Sequence, residues 1–432
     1  MFKRISCIII LLLFLVTTLT GCYDAREIDD EVYALAIGID KGIDNKVRVS
    51  IQYPIYKSGS EGGGGEKGQD SEKKGESSSS VSGTNIHTID ASSILEAIDM
   101  FGMFISRRVS LMHAKELIFS EAFAREGVEK YLAPMARFRD TRRTMAIIVT
   151  KGTAVDYLKE NKPDIGESLA KSMELIGAQV KNTGLFPRAI FGDFYTSIVS
   201  TFGQSYAVYS GVNNFDKLLP ETSAPSSPPL VTDKGFLPGE IPREGVTKRE
   251  FAGTAVFEGD KMIGTLDSYE TRFFLMIIGQ YRSGIIDIKD KESPQDVIVL
   301  DTRPSRSPQV KGHFENGKPV IDLKVRLEAD IGSIQSRINY ENINKLQQLN
   351  KQAEEYIKEN LVKVINKVQK QYKSDIFHFG QKFAGYFSTI QEWEKYNWLS
   401  HFPDAKVNVS VEFNIRRTGL MINSSPVHGI SQ

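Results

Sequence analysis

The chain has 432 residues, 41% of them hydrophobic and 25% charged, which is the composition of an ordinary globular protein with room for two or three domains. Lysine plus arginine and aspartate plus glutamate both number 54, so no net charge draws the whole chain to nucleic acid or to an anionic surface. Nucleic-acid binding is therefore disfavoured.

The N-terminus has the organisation of a secretory signal. Lys3 and Arg4 give a positive start, and an unbroken apolar run from Ile8 to Val16 follows. This run is too short to span a bilayer core of roughly 30 Å as a permanent helix. The segment ends Leu19-Thr20-Gly21-Cys22, which resembles the lipobox of bacterial lipoproteins. The resemblance implies a signal peptide over residues 1–21, cleavage before Cys22 and a thioether-linked diacylglycerol on its sulfur; the alternative is an unprocessed signal anchor with an accidental cysteine.

Cysteine usage restricts the chemistry further. The two cysteines are Cys7, which leaves with the signal peptide, and Cys22, the predicted lipid site. No thiol then remains in the mature chain, which excludes thiol catalysis, thiolate–zinc sites and iron–sulfur clusters. Because no later apolar run approaches 18 residues, the lipid is the predicted membrane anchor.

The first predicted module, residues 22–203, alternates strands and helices and is therefore mixed α/β. It opens with a charged stretch over residues 24–30, a short tether or a helical turn, and a predicted hairpin of 32–40 with 46–56. Beyond residue 83 the hydrophobic periodicity predicts, in order, strand 84–90, helix 94–105 capped by Ser92 or Ser93, strand 111–120, helix 121–137, strand 144–150, and helices from 155 to 160, over 168–180 and over 188–201.

Residues 58–83 are nearly all glycine, serine, glutamate and lysine. Such a segment cannot bury enough apolar surface to offset its ordering entropy, so we predict a disordered insert. Gly63, Gly65 and Gly68 match G-x-G-x-x-G, but a phosphate-binding version needs a buried strand before it and a helix after it. We therefore interpret the match as chance.

Two further modules follow. The middle one, 204–283, includes a Pro-rich linker at 216–243, and the last one, 284–423, precedes a short tail at 424–432. Their predicted elements are strand 206–212, a hairpin of 254–257 with 262–266, helix 269–279, strands 285–288, 297–301, 309–314 and 320–329, a long helix 340–373, a short aromatic helix 383–398 and strand 407–416. The apolar face of the long helix favours packing on the adjacent sheet, with a coiled-coil partner as the alternative.

The predicted fold class is α+β, or mixed α/β. We expect three modules, each a mostly antiparallel or mixed sheet with flanking helices. The last module carries a long C-terminal amphipathic helix.

Catalytic and metal-binding motifs occur without the context that they require. The six histidines are His87, His113, His313, His378, His401 and His428, and none has the H-E-x-x-H or another short ligand spacing. A metal site whose ligands come together only on folding stays an open alternative. Ser168 and Lys171 form S-x-x-K, the nucleophile–base pair of penicillin-interacting enzymes, but the accompanying S-x-N and K-T-G strings do not occur. We favour a solvated helix face there. No enzyme activity, no metal and no cofactor other than the covalent diacylglycerol on Cys22 are predicted.

Three basic clusters are present, at Arg107-Arg108, over residues 137–143 and at Arg416-Arg417. In the second cluster arginines surround Asp140, so ion pairing between elements of the chain is the expected role; a docking surface for a protein or a lipid head group is the alternative. The third cluster closes the last strand, where we expect at least one guanidinium to point outward.

Several separated strings resemble the spore germinant receptor C-subunit lipoproteins, the Ger(x)C-type spore germination lipoproteins. Residues 21–28, G-C-Y-D-A-R-E-I, are similar to that family's G-C-W-D-x-R-E-I, with Tyr23 in place of the usual tryptophan. Further similar strings are H-A-K-E-L-I at 113–118, F-A-R-E-G at 123–127, G-T-A-V-F at 253–257, G-T-L at 264–266, E-T at 270–271 and V-E-F-N-I-R-R-T-G-L at 411–420. They span nearly the whole mature chain in the family's order, whereas the Gly/Ser insert is not part of the shared pattern.

The resemblance implies a non-enzymatic part in nutrient sensing during endospore germination. It implies a complex with integral membrane A- and B-type receptor subunits, a lipid anchor at Cys22 and a location on the outer face of the inner spore membrane. A small-molecule germinant would be bound by the complex rather than by this subunit alone. The residues predicted to dock on partners are Asp24, Arg26, Glu27, Arg416 and Arg417. The alternative function is a solute-binding lipoprotein of a membrane transporter.

Overall fold

The computed structural model describes residues 2, 4–6, 27–55, 83–163, 168–217 and 230–419. Cys22, most of the Gly/Ser insert, residues 224–229 and the tail lie outside the described residues. The strands in the described ranges are β1 Glu31–Tyr33, β2 Ala36–Lys41, β3 Val47–Pro54, β4 Thr84–Ala91, β5 Arg108–Ser110, β6 Glu116–Ser120, β7 Ala146–Lys151, β8 Tyr206–Val212, β9 Arg249–Glu258, β10 Lys261–Leu266, β11 Gly284–Lys289, β12 Val297–Glu315, β13 Lys318–Ile334 and β14 Lys406–Arg417.

From residue 27 onward, the α-helices begin after the first four strands and lie mostly between strands. In the same ranges they are α1 Ile94–Met100, α2 Glu121–Ala124, α3 Glu129–Arg137, α4 Ala154–Glu160, α5 Leu169–Thr183, α6 Phe191–Ile198, α7 Ser268–Ile278, α8 Ile343–Asn366, α9 Ile390–Tyr396 and α10 Trp398–His401. Among the described residues, no helix combines the length and the apolar composition needed to cross a bilayer.

The strands of the described ranges form three sheets, which confirms the predicted α+β class. The large sheet has eight strands in the order β10-β9-β8-β7-β6-β2-β3-β4, and the C-terminal sheet has four in the order β11-β12-β13-β14. A small third sheet pairs β1 with β5. In the large sheet β2, β6, β7 and β8 run parallel, and the strands outside them pair antiparallel.

Both faces of the large sheet are covered by helices. Nearly every side chain of β2 and β7 is buried, which is typical of parallel strands covered on two sides. Ile37 and Ile39 pack on one face with residues of α1, α3 and α6. Ala36 packs on the other face with residues of α4 and α5.

The large sheet is continuous across the predicted limit between residues 203 and 204. β7 and β8 are parallel neighbours, with Ile148 opposite Val208, so the strands of the predicted middle module extend the N-terminal sheet. The predicted hairpin of the middle module is present as β9 and β10. The limits of the three modules as folding units stay a prediction.

Helix α7 lies between the two main sheets. It begins with a capping box of Asp267 and Glu270 and ends at Gly279, whose φ of 76° suits glycine. Residues 273–277 are all buried, and the helix contacts β9 and β10 on one side and β12, β13 and α8 on the other. A helix that is apolar on every side is a core helix. One apolar core therefore continues from the large sheet into the C-terminal sheet.

Helix α8 covers one face of the C-terminal sheet, as its apolar periodicity predicts. Its buried residues include Leu349, Ile357 and Leu361. Its polar side chains also protect the edge strand: Glu354 Oε1 accepts the backbone N–H of residue 413 at 3.1 Å, and Asn350 Oδ1 accepts that of residue 415 at 2.8 Å. Part of the exposed edge of β14 is thus paired, and a second chain cannot add to it there.

Two predicted strands are one strand in the structure. Residues 297–301 and 309–314 both belong to β12, because Pro304 and Pro308, which suggest a break, lie where the strand's register against β13 shifts. Such irregularities accommodate residues that have no backbone N–H.

Predicted helix 121–137 is two helices, α2 and α3. Gly127 adopts φ of 121°, and a Cβ there would lie 2.5 Å from Asp260 Oδ2. The turn between β9 and β10 occupies the break, since Asp260 O accepts the N–H of Val128 at 3.0 Å and its carboxylate accepts that of Glu129 at 3.2 Å. A long-range contact therefore ends the first helix.

Two other helices also differ from their predicted lengths. Predicted helix 94–105 becomes α1, capped by Ser93 and ending at Met100. Predicted helix 340–373 begins at Ile343, and its last turn, Lys367–Tyr372, is π-helical. The π turn leads the chain away from the C-terminal sheet and towards the large one.

Candidate functional site

The two C-terminal residues predicted to dock on partners, Arg416 and Arg417, lie on the exposed face of the C-terminal sheet. Arg416 Nε is 3.3 Å from Glu328 Oε2, and Arg417 Nη1 is 3.9 Å from Asp330 Oδ2. Both reach the same face because the register of β14 against β13 shifts after Ala329. Their side chains are 56% and 76% exposed. Exposed ion pairs contribute little free energy, so a partner's carboxylates can replace these ones at small cost.

The rest of this face carries charges of both signs. Arg326 Nε donates to Glu412 Oε2 at 2.8 Å, and Lys324 also pairs with Glu412. These two hydrogen bonds, that of Lys324 first, lower the pKa of the Glu412 carboxyl. A surface of alternating charge fits a polar partner rather than an apolar one.

The N-terminal docking residues are separated from the C-terminal ones. Cys22, Asp24 and Arg26 lie outside the described residues, and Glu27 is exposed at the entry to a short 3₁₀ turn before β1. Glu27 thus leads into the small sheet, whereas Arg416 closes an edge of the C-terminal sheet. The predicted docking residues therefore belong to two different elements.

An ion pair between elements is present among the first two basic clusters, and it uses Asp140. Arg108 Nη2 lies 3.7 Å from Asp140 Oδ2, which joins β5 to the segment after α3. Arg142 Nε donates to Thr144 Oγ1 at 2.9 Å. The first two clusters are thus connected through Asp140.

The S-x-x-K pair has a structural role. Ser168 is the N-cap of α5, and its hydroxyl accepts the backbone N–H of Lys171 at 3.3 Å. The Lys171 ammonium is exposed and lies 3.8 Å from Glu174 Oε2. The lysine is therefore paired on the surface instead of being held against the serine.

The described histidines are dispersed, and the described ranges contain no group of three metal-ligating side chains. His313 lies near Glu315 and Asp322 on the exposed sheet face. The others pack against rings or in the interior: His87 on Tyr53, His113 on Tyr33, His401 on Tyr396 and His378 beside Ser197. His428 lies outside the described residues.

Sequence patterns did not reveal the contact between residues 367–380 and the large sheet, which we call the joint. It comprises hydrogen bonds and one ion pair: Lys367 Nζ to Glu270 Oε2 at 2.6 Å, Tyr372 Oη donating to Thr265 O at 2.7 Å, Ser374 Oγ donating to Phe257 O at 2.6 Å, and Gln204 N donating to Asp375 O at 2.9 Å. The Tyr372 ring lies so close to the backbone of Gly264 that a Cβ at this position would be 2.2 Å from the ring. The joint fixes the end of α8 against β9 and β10.

A fully buried carboxylate organises the joint. Asp375 accepts the backbone N–H groups of Phe379 at 3.2 Å and Gly380 at 3.0 Å, and the indole N–H of Trp398 at 2.8 Å. Burial nevertheless raises the pKa of Asp375 to about 6. The sequence signal was a single carboxylate among apolar and aromatic residues just after a helix, which implies that local donors must satisfy it.

A cavity of about 400 Å³ borders the joint. His378, at φ of 59°, presents its ring to it, and burial lowers the pKa of that ring. Nε2 lies 3.5 Å from Ser197 Oγ. Arg188 and Lys382 add two positive charges to the lining, and Asp193 adds one negative charge. The cavity has the size of a small-molecule site, with groups that bind polar ligands.

A second cavity of about 400 Å³ lies on the other side of residues 188–190 and has Glu116 in its lining. The Glu116 carboxylate accepts a hydrogen bond from Tyr157 Oη at 3.0 Å and lies 4.0 Å from Arg249 Nη1. Arg249 also hydrogen-bonds Asn161. Burial raises the pKa of Glu116, and Arg249 and Tyr157 oppose that rise. This buried cluster ties β6, α4 and β9 together.

The titration of Asp375 gives a testable pH dependence. The ordinary pKa of 3.8 applies in the unfolded chain and about 6 in the fold, so the folded state binds the proton more tightly. The carboxyl's contribution to stability is complete below about pH 4 and is lost as the pH rises through about 6. We expect the free energy of unfolding of Asp375→Asn, minus that of the wild type, to increase by roughly 3 kcal/mol from pH 3 to pH 8, measured by urea denaturation. A pH-independent difference would contradict this assignment.

The fold is thus an α+β protein in which two sheets share one core and are fixed to each other at the joint. The chain belongs to the Ger(x)C-type family of spore germination proteins. Residues 24–210 match the family model described as "Spore germination protein N-terminal domain", and residues 252–419 match the one described as "Spore germination B3/ GerAC like, C-terminal". Together the two models span most of the chain in the expected order.

Similar proteins align over nearly their whole length. The putative spore germination protein YfkR of Bacillus subtilis is 24% identical over 423 residues, covering 96% of this chain and 97% of that protein. Spore germination protein KC of the same organism is 23% identical over 430 residues, 96% of each chain. GerQC of Bacillus cereus is 19% identical over 95% of this chain and 98% of its own. The crystal structure of the GerBC protein aligns with 16% identity and a TM-score of 0.49, covering 88% of this chain and 96% of that one.

Proposed function

We propose that this protein is the lipid-anchored C-subunit of a nutrient germinant receptor and takes part, without enzymatic activity, in triggering endospore germination. The observation that carries the proposal is the match of both family models, in order, across residues 24–419. The lipobox-like string ending at Cys22 supports the anchor. In this proposal the mature chain lies on the outer face of the inner spore membrane, beside integral A- and B-type subunits.

The anchor and the charged surfaces have complementary roles in this proposal. Two or three acyl chains hold the protein stably at the membrane, since each buried methylene contributes about 0.8 kcal/mol. Tethering raises the effective concentration of the protein at its partners, so the docking surfaces need no high intrinsic affinity. Docking involves the segment Asp24, Arg26 and Glu27 near the anchor, and the face around Arg416 and Arg417. A germinant is bound by the assembled complex rather than by this subunit alone.

The anchor has a direct test. We expect Cys22→Ala to move the protein from the membrane fraction of spores to the soluble fraction and to reduce nutrient-triggered germination severely, because the effective concentration at the partners falls. The measurements are immunoblots of the fractions and loss of optical density after nutrient addition. Germination by a stimulus that bypasses nutrient receptors serves as the control and stays normal.

One result would overturn the anchor proposal. Normal membrane retention of Cys22→Ala together with full nutrient germination would show that neither the lipid nor its location is needed. Co-purification of the wild-type protein from spore membranes tests the partners separately. Recovery of the chain without polytopic subunits would contradict the receptor complex.

The second candidate function, a solute-binding lipoprotein, is kept because two cavities of about 400 Å³ lie next to residues 188–190. Calorimetry of a soluble fragment comprising residues 24–432 against amino acids and sugars separates the two functions. Tight binding by this fragment alone would favour the solute-binding protein. No binding, with retention of partner subunits, agrees with the receptor subunit.

A further inference from the structure

A loop between α1 and β5 exposes apolar side chains at its tip. Met103 is 75% exposed and Phe104 is 50% exposed, and Arg107 follows them on the surface. The loop is nonetheless well held. A 3₁₀ turn begins at the buried Phe101, whose carbonyl accepts the N–H of Phe104 at 3.2 Å and of Ile105 at 2.8 Å. Two neighbouring large apolar side chains are therefore exposed on a fixed turn.

The small sheet places this loop at the entry of the tether. β1 and β5 are parallel, with Glu31 opposite Arg108. In a parallel pair, the residues that precede the two strands lie at the same end. Residues 27–30, which come from the predicted lipid site, therefore lie beside residues 102–107, which we call the tether-end loop.

The reach of the tether is short. Five residue steps separate Cys22 from Glu27, and each extends at most about 3.5 Å, so the two positions are within about 18 Å of one another. If Cys22 carries the lipid, the membrane surface lies within that distance of Glu27, and the tether-end loop is among the parts of the fold nearest to it.

We propose that the tether-end loop inserts Met103 and Phe104 into the surface of the bilayer leaflet that holds the lipid of Cys22. This inference rests on the proposed lipid anchor. The lipid fixes one point of the protein, and the loop supplies a second contact that restricts its rotation. The occupant of the loop's apolar surface is thus a lipid surface.

The size of the patch favours a lipid surface over a protein. The surface of two apolar side chains is far smaller than the roughly 800 Å² that each partner contributes to a stable protein interface. An anchored chain needs only a weak additional contact, because the tether already supplies the concentration. Small apolar tips with a neighbouring arginine suit the boundary between head groups and acyl chains.

The charges around the loop determine which lipids are required. Arg107 and Arg108 are exposed, but Arg108 is paired with Asp140, and the acidic residues nearby are also on the surface: Glu27, Asp29, Asp30 and Asp99. The four carboxylates outnumber the two arginines, so the surroundings of the loop carry a net negative charge. Insertion is therefore driven by the apolar side chains and does not depend on anionic head groups.

The mature chain suits a site-specific probe, because Cys22 is its only cysteine and its sulfur carries the lipid in this proposal. A cysteine at Met103 receives an environment-sensitive fluorophore in the full lipidated protein, which is then placed in phosphatidylcholine vesicles with nitroxide-labelled lipids. The matched control is a cysteine at Val246, which is 100% exposed. Val246 precedes β9, and the start of β9 pairs with the end of β8. Because β8 and β2 run parallel, Val246 lies at the opposite end of the strands from the start of β2.

We expect several-fold stronger quenching at position 103 than at position 246, with or without added phosphatidylglycerol. Equal quenching of the two probes on vesicle-bound protein would overturn the loop proposal and leave the anchor proposal standing. Failure of the protein to associate with vesicles at all would overturn both. Quenching only after the integral partner subunits are added would assign the loop to a protein interface and contradict its insertion into lipid.

A second measurement uses substitutions in the lipidated protein. Met103→Ser with Phe104→Ser is expected to raise the rate of transfer between vesicles by about ten-fold, because buried apolar surface is lost. The control is Ile43→Ser with Val246→Ser, two exposed positions at the far ends of the strands. Equal rates for the two double variants would contradict insertion.

Discussion

Replacing Trp398 with alanine is expected to lower the free energy of unfolding by about 3–5 kcal/mol, the range for removing a fully buried large aromatic side chain. Trp398 is 1% exposed and stacks on Phe383 with ring centroids 4.6 Å apart. Its indole N–H also satisfies the Asp375 carboxylate. Loss of the ring leaves a cavity beside a buried charge. Urea denaturation followed by far-UV circular dichroism measures the change without depending on tryptophan fluorescence.

Trp398→Phe separates the two contributions at this position. It keeps a stacked ring but removes the donor to Asp375, so we expect a smaller loss of about 1–3 kcal/mol at neutral pH. That loss shrinks at low pH, where a protonated Asp375 needs its donors less. Ile390→Ala, at a position that is half exposed, is the control for side-chain truncation in this region. A cost below 1 kcal/mol for Trp398→Ala would show that the joint does not depend on this ring.

Replacing Arg249 with methionine is also expected to cost about 3–5 kcal/mol, because it leaves Glu116 as a buried charge without its cation. Burial already raises the pKa of Glu116, and Arg249 opposes that rise. Without the arginine the pKa rises further and the carboxyl takes up a proton more readily. The cost, measured by urea denaturation, is therefore expected to be smaller at pH 5 than at pH 8.

The double variant Arg249→Met with Glu116→Gln tests the cause of this effect. Removing both charges abolishes the uncompensated carboxylate, so we expect the double variant to be more stable than Arg249→Met alone. Additive losses from the two substitutions would show that lost packing, and not an unpaired charge, explains the cost.

The joint and α7 together explain how the two main sheets behave as one body. α7 is buried between them. Residues 367–380 bind β9 and β10 through backbone acceptors, and they bind α7 through the Lys367–Glu270 ion pair. When a partner contacts one sheet, the other sheet is therefore affected as well, because no flexible linker separates the two sheets. This rigidity suits the receptor subunit proposed above, in which the lipid site and the charged sheet face belong to different elements.

Local patterns in the sequence predicted most of the elements. The alternation in β13 and the heptad-like face of α8 are strong periodic signals, and the strand over residues 206–212 has the same limits in the structure. Prolines misled the interpretation of β12, since the bulges that accommodate them depend on β13. The break at Gly127 depends on Asp260, more than a hundred residues away.

The functional surfaces were less predictable than the elements. Arg416 and Arg417 were chosen as outward-facing ends of a strand, and the structure exposes both. Asp375, His378 and Trp398 were not chosen, because the partners of these residues come from three separated segments that only folding unites. The tether-end loop was missed for the same reason, since its position depends on the pairing of β1 with β5.

The parallel pairing of β14 with β13 has a consequence for how the chain is made. The two strands are joined by contacts such as that of Arg326 with Glu412, 86 residues apart, and everything between them must be synthesised first. Closing so long a crossover is slow, because the connecting chain loses conformational entropy before any contact between the two strands forms. A nascent chain therefore presents the open edge of β13 until its last strand is complete. Truncations before residue 406 leave that edge uncovered and are therefore expected to be degraded or insoluble.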